Sequence, residues 1–151
     1  MQGIHWIDKN GFLSLGGLLF GLTLALLSAG CNHSLSTPRE GDYTGTFTAT
    51  YHVVTPDVNI DTVITGPVTL NLSNDQFENS GNPNRFPPAG SGGYSIQGDS
   101  IHFQNRGFYT ADFDWSTILN FTYGFEATKK TLHLVREIPN WMTLEYDLLY
   151  D

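Results

Sequence analysis

The sequence predicts an all-β domain, an antiparallel barrel or sandwich of about eight strands within residues 41–151. Apolar and polar residues alternate there with a period of two, and short turns separate the alternating stretches. A strong 3.6-residue helical pattern is missing from the same region. Eight strands is also about the number at which a closed barrel holds side chains or one small ligand.

The first predicted strand shows the alternation most clearly. One parity is apolar and is expected to face the core, whereas the other carries threonine and histidine. The apolar set is Tyr43, Phe47, Ala49, Tyr51 and Val53. The polar set is Thr44, Thr46, Thr48, Thr50 and His52. In a later strand the inward set is Val68, Leu70 and Leu72.

Two hairpins can be placed from their turns. A two-residue turn at 98–99 (Gly-Asp) pairs Ile96 with Ile101 and Tyr94 with Phe103, so that apolar residues match across it. A second turn at 129–130 (Lys-Lys) gives the pairs Ala127–Leu132 and Phe125–Leu134. The last strand has its apolar parity at Met142, Leu144, Tyr146, Leu148 and Tyr150.

Residues 1–30 are predicted to be a lipoprotein signal peptide. Gly11–Leu27 runs 17 residues without a charge. The segment Leu27-Ser28-Ala29-Gly30-Cys31 that ends it resembles a bacterial lipobox, with Ser28 where leucine is usual. An uncleaved membrane anchor is the alternative, because the apolar run is longer than most signal peptides have.

Cys31 is the expected lipidation site, and it is the chain's only cysteine. Acyl chains on this residue would anchor the protein to a membrane without spanning it. No thiol is then left for a disulfide, a metal site or a nucleophile. Residues 31–40 are expected to be the lipidated cysteine and a tether. Asn32 follows the cysteine, which favours the outer membrane of a bacterial cell envelope.

The charge of the chain disfavours one class of partner. Lysine and arginine total 7 against 15 aspartates and glutamates, a formal net charge of −8. A basic surface that could follow phosphates is not expected, so nucleic acid is not an expected partner.

Several segments resemble lipocalin-like (calycin) domains, and in particular small lipocalin-like bacterial lipoproteins of uncharacterised function. Residues 41–47 (GDYTGTF) are similar to the first strand of that family, with Phe47 where its Gly-X-Trp motif has tryptophan. Residues 94–103, 110–115 and 118–120 extend the similarity over most of 41–151. The resemblance implies a single antiparallel up-and-down β-barrel of about eight strands, and it transfers no catalytic residue.

Asp112 and Asp114, just before Trp115, are the candidate acid–base pair. In an extended segment their carboxylates would lie ~7 Å apart on one face, an arrangement suited to glycan hydrolysis or to a hard cation. The favoured interpretation is structural. The aspartates cap a turn or short helix, while Phe113 and Trp115 plug a barrel end.

The histidines are expected on the surface. His102 and His133 lie between apolar neighbours that face the core, so their own rings should face outward, as should that of His52. Outward rings on separate strands rarely converge on zinc, and no metal site is predicted.

Residues 79–93 are predicted to form a long loop rich in proline and glycine. Arg85 and Phe86 at its centre offer one charge and one apolar anchor to a partner. The alternative is a surface insertion without a role.

The sequence therefore favours a membrane-anchored, non-enzymatic binding module without a cofactor. The expected partner is a small apolar ligand or a protein, contacted through Arg85, Phe86, Asp112, Asp114 and Trp115. Two alternatives stay open: an envelope glycan hydrolase that uses Asp112 and Asp114, and an inhibitor of a secreted enzyme that acts through loop 79–93. A nucleophilic enzyme is disfavoured because the sequence has no Gly-X-Ser-X-Gly motif.

Overall fold

A computed structural model describes residues 37–54, 59–81, 86–109 and 114–151. These residues form a closed antiparallel barrel in which each strand pairs with the next and β8 pairs with β1. The predicted signal peptide and Cys31 lie outside the described residues. Among the residues described, no helix is long and apolar enough to cross a membrane. The strands are β1 (Gly41–Val54), β2 (Asn59–Ser73), β3 (Gln76–Asn79), β4 (Gly90–Gln97), β5 (Ser100–Asn105), β6 (Phe121–Ala127), β7 (Thr131–Ile138) and β8 (Met142–Tyr150).

The predicted fold class and both hairpin registers are confirmed. β4 and β5 pair Ile96 with Ile101 and Tyr94 with Phe103. The turn between them needs a residue with positive φ, which Gly98 supplies at +62°. β6 and β7 pair Ala127 with Leu132 and Phe125 with Leu134, also as predicted.

The apolar parity of each strand fills the barrel. A connected row of aromatic rings crosses the interior, with neighbouring ring centroids 5.0 to 5.9 Å apart. Such distances are those of favourable aromatic pairs, so the rings stabilise the core beyond their apolar area. The row runs Phe47, Tyr146, Tyr123, Phe103 and Phe77.

The two ends of the barrel differ. At the turn end, short turns join β2 to β3, β4 to β5 and β6 to β7, and residues 37–40 lead into β1. At the loop end, β1, β3, β5 and β7 finish and the longer connections 80–89 and 106–120 begin. Every connection that carries a sequence-predicted contact residue therefore belongs to the loop end.

The pairing of β2 with β3 is short among the described residues. β3 pairs with β2 only from Leu70 to Ser73, although β2 begins at Asn59. Beyond that pairing, Ser80 bonds both backbone groups of Thr69, donating its amide to the Thr69 carbonyl and accepting from the Thr69 amide. Residues two apart along a strand direct their backbone groups to the same edge, so Pro67 and Thr69 both face the β3 side. Proline has no N–H to donate there, and the hydrogen bonds between β1 and β2 are unaffected.

The predicted loop 79–93 is too long. Asn79 ends β3, and the small residues 90–93 pair with it as the start of β4. Glycine is needed there for close strand approach rather than for loop flexibility. A Cβ on Gly92 would lie 1.9 Å from the Gln104 carbonyl oxygen of β5.

Candidate functional site

The loop end contains the predicted contact residues that the structure describes. Phe86 lies on the β3–β4 connection, and Asp114 and Trp115 lie on the β5–β6 connection. Arg85 and Asp112 fall outside the described residues, so their predicted roles stay predictions.

Tyr109 joins the two connections. Its hydroxyl lies 3.0 Å from the Ala89 carbonyl oxygen on one connection and 3.0 Å from Asn105 Oδ1 at the end of β5. Its ring meets Trp115 edge to face, with centroids 5.6 Å apart. The loop around Phe86 and the segment around Trp115 are therefore parts of one surface, which the sequence places 29 residues apart.

Phe86 packs against the barrel core. It is half-buried, and Pro87 and Pro88 after it are buried. The side-chain amide of Asn79 donates to the Pro88 carbonyl at 2.8 Å, which ties the loop to the end of β3. In this position Phe86 is not a freely presented apolar anchor.

Asp114 caps a short 3-10 helix, Trp115–Thr117, as the favoured interpretation predicts. Its carboxylate accepts hydrogen bonds from the Ser116 amide at 3.0 Å and from the Ser116 hydroxyl. The Tyr51 hydroxyl of β1 donates to its second oxygen at 2.7 Å. Both oxygens are thus occupied in fixing the β5–β6 connection onto β1.

These contacts determine how the Tyr51–Asp114 pair titrates. Burial alone would raise the pKa of Asp114, but hydrogen bonds from Ser116 and Tyr51 together hold it below its usual range. Burial and the neighbouring carboxylate raise the pKa of Tyr51, which stays a neutral donor. A general acid for glycan cleavage needs the opposite shift, a raised carboxyl pKa.

We expect Asp114→Ala to lower the free energy of unfolding by about 1 kcal/mol near pH 7, a usual contribution of an N-cap side chain. Because the pKa of Asp114 is lowered on folding, its ionised form stabilises the fold. This contribution is complete above the unfolded pKa, about 4, and is lost as the pH falls through the lower folded pKa. Urea unfolding should show a difference from wild type that shrinks below about pH 4.

Asp114→Ser is the matched control, since serine keeps an acceptor for the Ser116 amide but does not titrate. It should cost less than the alanine variant. A wild-type advantage over Asp114→Ala that stays constant between about pH 7 and pH 3 would contradict the assignment.

Trp115 does not plug the barrel, contrary to the prediction; Phe113, the other predicted plug residue, lies outside the described residues. It is 55% exposed, and its ring rests on Tyr109 at the surface. The 3-10 helix instead buries Thr117 and the two residues after it, Ile118 and Leu119. Those aliphatic side chains are among the buried core residues, so the indole is left outside.

Trp115 is one of several exposed apolar side chains at the loop end. Among the described residues, the exposed large hydrophobic side chains lie at the loop end with one exception, Leu149, near the turn end. Phe108 is fully exposed, and Phe121 and Trp141 are about half exposed. We call this set the aromatic rim; it comprises Phe108, Trp115, Phe121 and Trp141, with Ile60 and Val63 beside it.

Arg136 is the site residue that sequence reasoning missed. It continues the inward parity of Leu132 and Leu134, and it faces the barrel interior near the end of β7. Its guanidinium carbon lies 4.5 Å from the centroid of the Phe121 ring. The parity itself was the available signal, since an arginine two residues after an inward leucine must face inward as well.

The three histidines on described strands face outward, as predicted, and each has a partner on a neighbouring strand. His52 Nδ1 lies 3.0 Å from Asp61, and His133 Nδ1 lies 2.7 Å from Asp147. His102 contacts Thr122 at 3.0 Å. In the part of the chain that the structure covers, no group of three histidine, cysteine or acidic residues could hold a metal ion.

The fold and the loop end define the class of molecule, an eight-stranded antiparallel up-and-down barrel consistent with a lipocalin-like fold. No family model matches the chain, and neither the curated proteins nor the solved structures contain a match. The functional argument therefore depends on the chain's own residues.

Proposed function

We propose that this chain is a lipid-anchored lipoprotein of the bacterial cell envelope. Its lipocalin-like barrel is a non-enzymatic binding module, and it engages a protein partner through the aromatic rim. The observation that carries this proposal is the one-sided distribution of exposed apolar side chains, which gather at the loop end. Exposed apolar patches of this kind mark interaction sites, and aromatic residues dominate interface energetics.

The filled interior favours a protein partner over a large apolar ligand. Phe47, Phe103 and Tyr146 are fully buried, and the ring row crosses the space that such a ligand would need. Closely packed interiors give up volume only at a cost in stability. Among the described residues, the exposed aromatic side chains are those of the rim.

The way the chain enters the barrel supports the same proposal. At the turn end, the Arg39 guanidinium stacks on the Tyr150 ring at 3.9 Å, and the Tyr43 hydroxyl donates to the Arg39 carbonyl. The first described residues, 37–40, therefore meet the barrel at the turn end, opposite the aromatic rim, and they leave the rim uncovered.

The enzymatic alternative has less support. The Asp114 carboxylate is ionised and engaged by Ser116 and Tyr51, which suits a structural cap better than a proton donor. The inhibitor alternative depends on a presented loop, but Phe86 of that loop packs against the barrel core, and Pro87 and Pro88 are buried.

Site-specific photocrosslinking in intact cells tests the proposal. A photoreactive residue at Phe108 should give a discrete crosslinked product, because this side chain is fully exposed in the rim. Adding Trp141→Ala should reduce that product about 30-fold, the effect of losing an interface hot spot of roughly 2 kcal/mol.

Position 149 is the matched control, since Leu149 is equally apolar and 60% exposed but lies near the turn end. Equal crosslinking from positions 108 and 149, or a product at 108 that is insensitive to Trp141→Ala, would count against a partner at the rim.

A further inference from the structure

Three buried polar groups converge beneath the aromatic rim, and they have no hydrogen-bond partner outside their own cluster. Among the described residues, the Tyr123 hydroxyl, the Tyr146 hydroxyl and Arg136 Nη1 are shielded from solvent and make no well-formed hydrogen bond; the polar groups within their reach are one another. Both tyrosines are 0% exposed. Leaving such groups unsatisfied is costly, so each one requires an explanation.

Strand register places the three groups together. β6 and β7 pair Gly124 with Val135, and one further step along the two strands sets Tyr123 opposite Arg136. β7 and β8 pair Leu134 with Tyr146, so Tyr146 is diagonal to Arg136. The Tyr123 and Tyr146 rings meet edge to face with centroids 5.9 Å apart.

Electrostatics agree with this placement. Burial raises the pKa of Tyr123 to about 12, against the lowering effects of the nearby Arg136 charge and of hydrogen bonding with Arg136 and Tyr146. Burial and the neighbouring Tyr123 raise the pKa of Tyr146 well above its usual value. Both phenols therefore remain neutral O–H donors at physiological pH, beside a permanent cation.

The hydrogen-bonding chemistry of Arg136, Tyr123 and Tyr146 determines which kind of ligand they can bind. A guanidinium donates and never accepts, and each phenol has an O–H to donate. The group that satisfies all three is an acceptor with several lone pairs and a negative charge. We propose that Arg136, Tyr123 and Tyr146 form a binding site for a carboxylate group, reached from the loop end.

Phe121 marks the entrance to this site. Its ring covers the Arg136 guanidinium and is half exposed, while its backbone has a φ of +70°. A positive φ is strained for a bulky residue and persists only where surrounding contacts hold it. The ring shields one face of the guanidinium, and Arg136 itself is partly exposed, so a carboxylate can approach it from the loop end.

This site does not depend on the proposed protein partner, because the carboxylate can belong to a free organic acid or to an acidic side chain. The test uses the full-length protein in detergent and follows the Arg136 Nε–H resonance by NMR. Sodium acetate is one arm, blocked glutamate (N-acetyl-glutamate α-amide) is the other, and sodium chloride at matched ionic strength is the reference.

A saturable shift with acetate but not with blocked glutamate assigns the site to free acids. A shift with both extends it to acidic side chains. Acetate should also raise the thermal unfolding midpoint, because a ligand that binds the folded state stabilises it by mass action. If neither carboxylate gives a saturable shift, or chloride gives the same one, the proposal is overturned.

Variants identify the residues. Arg136→Met should weaken acetate binding about ten-fold or more, and Arg106→Met, at an exposed arginine, should leave it unchanged. Tyr123→Phe with Tyr146→Phe keeps both rings and should weaken binding about three-fold or more without lowering the midpoint in the absence of acetate. If Arg136→Met does not fold, the double phenylalanine variant decides; unchanged binding there refutes the site.

Discussion

Phe103→Ala is expected to lower the free energy of unfolding by about 3–5 kcal/mol, the usual cost of truncating a buried phenylalanine. Phe103 is 0% exposed and is the branch point of the ring row, since it contacts Phe77, Tyr94 and Tyr123. The four rings sit on β3, β4, β5 and β6, so the surrounding backbone cannot collapse into the cavity without disturbing strand pairing.

Phe108→Ala provides the matched control, because it removes the same side chain from a fully exposed position. Its effect should stay within about 0.5 kcal/mol. Urea unfolding followed by circular dichroism measures both variants. Similar losses of unfolding free energy in the two variants would mean that the packing of the interior rings does not stabilise the core.

The strand pattern of this barrel is largely readable from the sequence. Ile96 and Phe103 could be matched to their partners because each faces the core beside a short turn, which sets the register. The capping role of Asp114 was predictable for a related reason, since an aspartate binds the backbone amide two residues on. These features depend on neighbours close along the chain.

Features that depend on which strands become neighbours were not predictable in the same way. Gly92 reads as a loop residue until β5 is placed against it. Nothing in the sequence indicates that Tyr109 connects two loops. The sequence predicts Trp115 as a barrel plug, whereas the structure buries Ile118 and Leu119 and leaves Trp115 exposed. Arg136 was predictable only in part, because strand parity predicts that its side chain faces inward but not that it lies beside two tyrosines.

Gly92→Ala should be among the most disruptive single-methyl changes in the chain. The new Cβ would stand 1.9 Å from the Gln104 carbonyl oxygen and 2.9 Å from its carbonyl carbon, both backbone atoms of β5. No rotamer change can relieve a clash between a Cβ and backbone atoms, so β4 and β5 must separate there. Overpacking costs 1–3 kcal/mol in well-packed cores, and we expect about 3 kcal/mol or more here.

Gly93→Ala tests this explanation at the adjacent position. A Cβ there points outward and meets nothing nearer than 3.7 Å, an ordinary contact. Its φ is not in the left-handed region, so alanine should be neutral or stabilise the fold by up to about 1 kcal/mol through the lower entropy of the unfolded chain. Opposite responses at neighbouring glycines, read from urea midpoints, would distinguish strand contact from loop flexibility. Equal tolerance at both positions would contradict the close contact between β4 and β5 and would support the predicted loop over residues 90–93.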